Sequence, residues 1–121
     1  MLGKTKIKSI AKNGYPREYN EHKRRRLPYE VEIFSEGIAP MLESSIIAQT
    51  FGSPRAWKPY CEGDYDVGNS YKIKVGKNKP WRQGSDHCKW AYATENDFVC
   101  FGDLNRNTFA QTVRGGAFYC L

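Results

Sequence analysis

Three short apolar segments crowd the end of the chain: CKWAYA at 88–93, DFVCFGD at 97–103 and GAFYCL at 116–121. The first alternates polar and apolar residues, the second is continuously apolar, and all are rich in aromatic or β-branched residues. Each predicts a strand, and the first two are expected side by side. A chain with this ending must build its core on a sheet. KTKIKSIA at 4–11 and YKIKV at 71–75 predict two more strands. YEVEIF at 29–34 also alternates, with Val31 and Ile33 on one face, so a strand is expected there, with helix as its alternative.

One segment carries a helical pattern. Ile38, Leu42, Ile46, Ile47 and Phe51 recur at spacings of three to five, with Pro40 suited to a first helical turn. The spacing predicts a helix over 39–50, ended by Gly52 and Pro54. FAQT, at 109–112, predicts a short helical turn. Residues 12–27 and 52–70 read as loops, the second carrying Trp57, Tyr60 and Tyr65 as stacking faces, and KNKPWRQGSD reads as a third. The expectation is an α+β fold, an α/β-like sandwich in which a mixed β-sheet is flanked by few helices.

A length of 121 residues predicts one domain over 1–121, with residues 1–27 as a basic N-terminal strand and loop. No segment approaches the roughly 20 apolar residues of a membrane span, so no membrane partner is expected. Lys4, Lys6 and Lys8 follow the first residues without an apolar stretch, so no signal peptide is expected in this chain. Nineteen Lys and Arg against thirteen Asp and Glu leave a formal charge of +6. Such a surface favours polyanions, nucleic acid first among them. The run His22-Lys23-Arg24-Arg25-Arg26 supports that role, although such a run is more commonly solvated surface or linker.

The four cysteines, Cys61, Cys88, Cys100 and Cys120, form no C-x-x-C pair. That spacing argues against a structural zinc site, including one drawn from His87, Cys88, Cys61 and Cys100. Cys100 and Cys120 lie in two apolar segments, which either a disulfide staples together or two buried thiols help to pack.

The chemistry concentrates in SDHCKWAYATENDFVCFGDLNRN, residues 85–107. In a strand, His87 and Lys89 would point to one face, roughly 7 Å apart along the backbone. Gly102-Asp103-Leu104-Asn105 closes the next strand, where Gly102 permits close backbone approach and Asn105 offers an amide. Imidazole, ammonium and amide would then meet at a phosphate-sized point. A neutral imidazole can attack phosphorus, and an ammonium can offset charge on the non-bridging oxygens. That chemistry needs neither metal nor cofactor.

H-x-K followed by a G-x-x-N corner resembles the phospholipase D superfamily. DHCKWA, then VCFGDLNRN, then RGGAFYC is more specifically similar to the C-terminal half of the deoxyribonuclease II family, strongly after Asp86 and more loosely from residue 30. The resemblance implies a phospholipase D-like half domain with a single H-x-K motif. It assigns His87, Lys89 and Asn105 to catalysis, and Asp103, Arg106, Arg114 and Trp90 to substrate binding or to shaping the corner. It also implies a Cys100–Cys120 disulfide, and with it a secreted or delivered protein and an oxidising compartment. Cys61 then lacks its family partner and is either free or paired with Cys88. Where the superfamily has a further Asp after H-x-K, Thr94 or Glu95 stands, and Cys88 replaces the usual Ser inside the motif.

The family builds its site from two H-x-K motifs, whereas His22-Lys23-Arg24 is not a second one. A homodimer across a two-fold axis would supply the other His87. The expected function is metal-independent endonucleolytic cleavage of DNA through a phosphohistidine, either free-standing or as a delivered toxin domain with an immunity or inhibitor protein as partner. The alternative is a non-catalytic nucleic-acid-binding or interaction half-domain, and a phosphodiesterase acting on RNA or phospholipid is a third reading.

Overall fold

The computed structural model describes residues 7–12, 31–51, 56–82, 85–107 and 109–121. The basic run at 22–26 and most of the 12–27 segment lie outside the described residues. Among the described residues, eight strands run in chain order as β1 (Lys8–Lys12), β2 (Ile46–Gln49), β3 (Val67–Asn69), β4 (Lys72–Ile73), β5 (Trp81–Arg82), β6 (Trp90–Ala93), β7 (Val99–Gly102) and β8 (Gly116–Cys120). Six form one sheet in the order β1-β8-β7-β6-β2-β3, with β4 and β5 as a separate pair. Only β2 with β3 is parallel, so the sheet is mixed and the class is α+β, as expected.

Two elements depart from expectation. Instead of a strand through residue 34, the chain turns at Ile33 into a wide π-type turn, Phe34–Ile38, that continues as α1, Ala39–Leu42. Glu32 explains the switch. Its carboxylate accepts the backbone N–H groups of Phe34 and Ser35, and Glu36 in turn accepts the N–H of Glu32. Satisfying those first-turn donors favours a helix start over a strand. The helix expected to reach residue 50 stops at Leu42 instead. Glu43 adopts the left-handed region (φ 51°), and the N–H groups of Glu43 and Ser44 close back onto Pro40 and Ala39. Ile46 and Ile47 then serve β2, pairing with β6 and β3, because their branched side chains suit a half-buried sheet.

Two segments expected as loops also hold strands. β3 lies inside 52–70, and β5 lies inside KNKPWRQGSD, because a partner strand is available at each place. β4 is shorter than the expected 71–75, and FAQT falls in a π-type turn, Phe109–Val113.

One face of the sheet carries the core. Ile46, Ala48, Val67, Ala91, Ala93, Cys100, Phe118 and Cys120 are buried there with Ile33, Phe34, Ile38, Ala39 and Leu42 from the helical segment. Phe34 meets Phe118 edge-on at 5.0 Å. Tyr92, Val99, Phe101 and Tyr119 alternate with these core residues and are exposed. No helix of the described residues is long and apolar enough to cross a membrane.

Cys100 and Cys120 sit directly opposite each other across β7 and β8 and form a disulfide. Cys61 and Cys88 are free and exposed, so they are not paired with each other. The disulfide removes Cys100 from any zinc set. Replacing both cysteines of the bridge by serine is expected to cost about 3 kcal/mol, for a loop of this size and two buried polar substitutions. Urea denaturation of the double variant against wild type measures it. A midpoint unchanged from wild type would show that the bridge contributes nothing to stability.

Candidate functional site

His87 lies in an irregular segment that leads into β6, and not in a strand. Asp86 fixes that segment from three directions. One carboxylate oxygen accepts the Cys88 N–H at 2.8 Å, the other accepts the Trp81 indole N–H at 3.1 Å, and its carbonyl accepts the Gln49 amide at 3.4 Å. Sequence reading passed over Asp86, although its place directly before the H-x-K motif was visible.

The exposed His87 imidazole stacks on the Phe51 ring, with centroids 4.2 Å apart and planes 22° from parallel. Phe51 is in turn held by its backbone N–H, which donates to Asn105 Oδ1 at 3.1 Å. Asn105 therefore reaches His87 through Phe51, a residue whose apolar spacing had placed it directly after a helix expected to end at residue 50. Lys89 is half-buried, and its ammonium donates to the carbonyl of His87. The cation is thus held within one residue of the imidazole, by a local bond instead of a shared strand face.

Gly102-Asp103-Leu104-Asn105-Arg106 forms the corner after β7. Gly102 donates its N–H to the Lys89 carbonyl at 3.1 Å, tying the corner to the H-x-K segment. A Cβ at Gly102 would fall 2.5 Å from the Ala117 carbonyl oxygen, so only glycine permits this strand contact. Asp103 accepts the Ala117 N–H with its side chain at 2.9 Å, and its carbonyl accepts Arg114 Nη2 at 3.2 Å. Both residues brace the turn, and the guanidinium of Arg114 remains exposed. Trp90 is half-buried in β6 beside Gln49 and Phe101, and stacks on Tyr92 at 6.1 Å.

Arg106 is placed differently from the other corner residues. It is 3% exposed. Its Nη1 donates to Asn69 at 2.7 Å, its Nη2 donates to the Lys58 carbonyl at 3.1 Å, and its Nε lies 3.9 Å from Glu32. Burial pushes its pKa below the ordinary arginine value, while Glu32 opposes that shift. Its guanidinium ties the corner to β3 and to the start of the helical segment.

The Cys88 backbone N–H holds the Asp86 carboxyl below its ordinary value against the opposing cost of burial, with further help from the Trp81 indole. The same carboxylate pushes the pKa of the Cys88 thiol up, which disfavours its thiolate form. For Asp86, whose folded pKa is depressed, the stabilising contribution is present above the unfolded value and disappears as pH falls through the folded one. The clamp on the His87 segment is therefore expected to survive ordinary carboxylate titration and to release only at lower pH. Following the Cys88 amide by NMR during acid titration tests this, and a midpoint at or above the normal carboxylate value would refute it.

A family model described as Deoxyribonuclease II matches residues 4–121. The chain is 32% identical to human deoxyribonuclease-2-beta over 93 residues, covering 74% of this chain and 26% of that protein. It is 33% identical over 88 residues to a putative deoxyribonuclease-2 of Burkholderia pseudomallei strain 1710b, covering 72% and 21%. Mouse deoxyribonuclease-2-alpha is 32% identical over 94 residues, covering 74% and 26%. The chain thus spans about a quarter of the length of these relatives. No solved structure matches significantly.

Proposed function

The chain belongs to the deoxyribonuclease II family, and from that premise we propose that it forms half of a metal-independent endonuclease acting on DNA. The observation that carries the reading is the exposed His87 ring, seated on a Phe51 that Asn105 fixes, with the Lys89 ammonium on the adjacent carbonyl. An exposed, oriented imidazole beside a tethered cation suits attack on a phosphodiester.

In this mechanism the neutral His87 attacks phosphorus and the P–O5′ bond breaks. A second imidazole, protonated, gives its proton to the leaving 5′ oxygen. Water then attacks the phosphohistidine and gives a proton back to the second imidazole while the P–N bond breaks, leaving 3′-phosphate and 5′-hydroxyl ends. Lys89 offsets charge on the non-bridging oxygens in both steps. Asn105 acts through Phe51 as a positioning residue, and Trp90 and Arg114 offer contacts to the strand.

The second imidazole is proposed to come from a second copy across a two-fold axis, in the arrangement of a phospholipase D-like half domain. With one imidazole acting as nucleophile and the other as general acid, the rate would follow a bell-shaped pH profile. Delivered as a toxin domain, such a nuclease would be matched by an immunity or inhibitor protein.

Plasmid nicking in EDTA across acid to neutral pH, run beside light scattering, tests the reading. Nicking with 3′-phosphate ends by a dimer is expected. A requirement for magnesium would defeat the mechanism, and activity in a strict monomer would defeat the two-fold site. Salt-sensitive DNA binding without nicking would identify a non-catalytic half-domain instead.

A further inference from the structure

One residue along from Asn105, Arg106 lines an open cavity of about 430 Å³ that the proposed chemistry leaves unused. Glu32, Glu36, Trp57, Lys58 and Tyr60 also line it. The volume suits a small planar ligand. Two carboxylates face two cations, so the lining is formally neutral and favours neither a bare phosphate nor a free metal ion. Trp57 and Tyr60 add flat aromatic walls, which bind bases by stacking.

The polar groups narrow the choice. Among the described residues, Arg106 Nε is a buried donor without a hydrogen-bond partner, and such a group gains from any acceptor that reaches it. Glu32 already accepts from Phe34, Ser35 and Gln111, whereas Glu36, which accepts the Glu32 N–H with one oxygen, is exposed at the cavity's edge. A ligand offering a carbonyl beside N–H donors answers both needs. Guanine carries that edge, and thymine lacks the amino group.

The cavity is also fastened to the catalytic corner. The Trp57 N–H donates to the Arg106 carbonyl at 2.8 Å, and the Lys58 carbonyl accepts from the Arg106 guanidinium. The cavity wall is therefore bonded to the residue beside Asn105.

We propose that this cavity is a base-binding subsite that takes a guanine flanking the scissile phosphate, stacked between Trp57 and Tyr60. The proposal rests on the reading of the chain as a nuclease. A base enters such a cavity only when unstacked, so the subsite favours single-stranded or locally opened DNA. Lys58, exposed at the rim, contacts the adjoining phosphate.

The test separates base binding from cutting. The His87→Ala protein is titrated by calorimetry with deoxyguanosine 5′-monophosphate, thymidine 5′-monophosphate and 2-deoxyribose 5-phosphate, and wild-type cut sites are mapped on random-sequence DNA. The guanine nucleotide is expected to bind about tenfold more tightly than the sugar phosphate, in line with the contribution of one stacked base. Adding Trp57→Ala should remove that difference. Glu36→Gln, at an exposed position, should reduce the guanine-over-thymine preference in a folded protein. Guanine should be enriched at a fixed offset from the cuts.

Equal binding of nucleotide and sugar phosphate overturns the subsite, as does a preference that survives both variants. Nicking with unbiased flanks and no base discrimination would leave the nuclease reading standing and the subsite rejected. Base discrimination that depends on Trp57 and Glu36, without nicking, would support the subsite and reject the nuclease reading.

Discussion

Replacing His87 by alanine is expected to reduce plasmid nicking in EDTA by about a thousandfold or more, because in a two-fold site one substitution removes both the nucleophile and the general acid. The ring is exposed and stacked on Phe51, so its loss should leave the fold intact, and unchanged circular dichroism would establish that. Lys89→Ala should lower the rate by about a hundredfold, the usual effect of removing one group that offsets transition-state charge. Mixing experiments add a sharper readout. In an exchanged 1:1 mixture of wild type and His87→Ala, about a quarter of the dimers would keep both imidazoles, and activity per dimer should fall accordingly. A fall to only half would mean that each chain cuts independently. Full activity of the His87→Ala protein would sink the catalytic assignment altogether.

The second large effect is expected on stability. Arg106→Ala should cost about 3 kcal/mol or more, because a buried cation leaves behind unpaired partners and an empty volume. Asn69 and the Lys58 carbonyl would lose their donor, and Glu32 would lose its nearby positive charge. Arg106→Lys should recover little, since a lysine cannot span both partners with a planar fork. The midpoint of urea denaturation measures the effect. An exposed arginine that only touched DNA would instead raise KM at unchanged stability, so the two roles are separable. The same side chain lines the proposed base subsite, which is why Glu36 and Trp57, and not Arg106, are the residues varied there.

Much of the C-terminal architecture was legible in advance because its signals are local. β6, β7 and β8 fall where apolar alternation and flanking turn residues placed them. Close backbone approach at Gly102 followed from its lack of a side chain, and the structure puts Ala117 against it. The Cys100–Cys120 bridge followed from family resemblance, since apolar spacing alone left free thiols as an equal reading. The helical pattern over 39–50 failed for a different reason. Spacings of three to five suited a helix, but pairing with β6 and β3 claimed Ile46 to Gln49 for the sheet. Local periodicity cannot weigh partners that lie 21 to 47 residues away, as Val67 and Ala93 do from Ile46.

The candidate site divides along the same line. Sequence alone determined which groups are present: an imidazole, an ammonium and an amide within residues 87–105, on a basic chain with one H-x-K motif. Their identity follows from covalent order, so no folding was needed to read it. Only the tertiary structure decided how they are held. Phe51, two residues past the end of β2, lies under His87, and Asn105 anchors Phe51. Arg106, next to Asn105 in the same corner, turns inward to Asn69 and Glu32. Those choices depend on which buried polar groups find partners across the sheet, and that balance exists only once distant segments have packed.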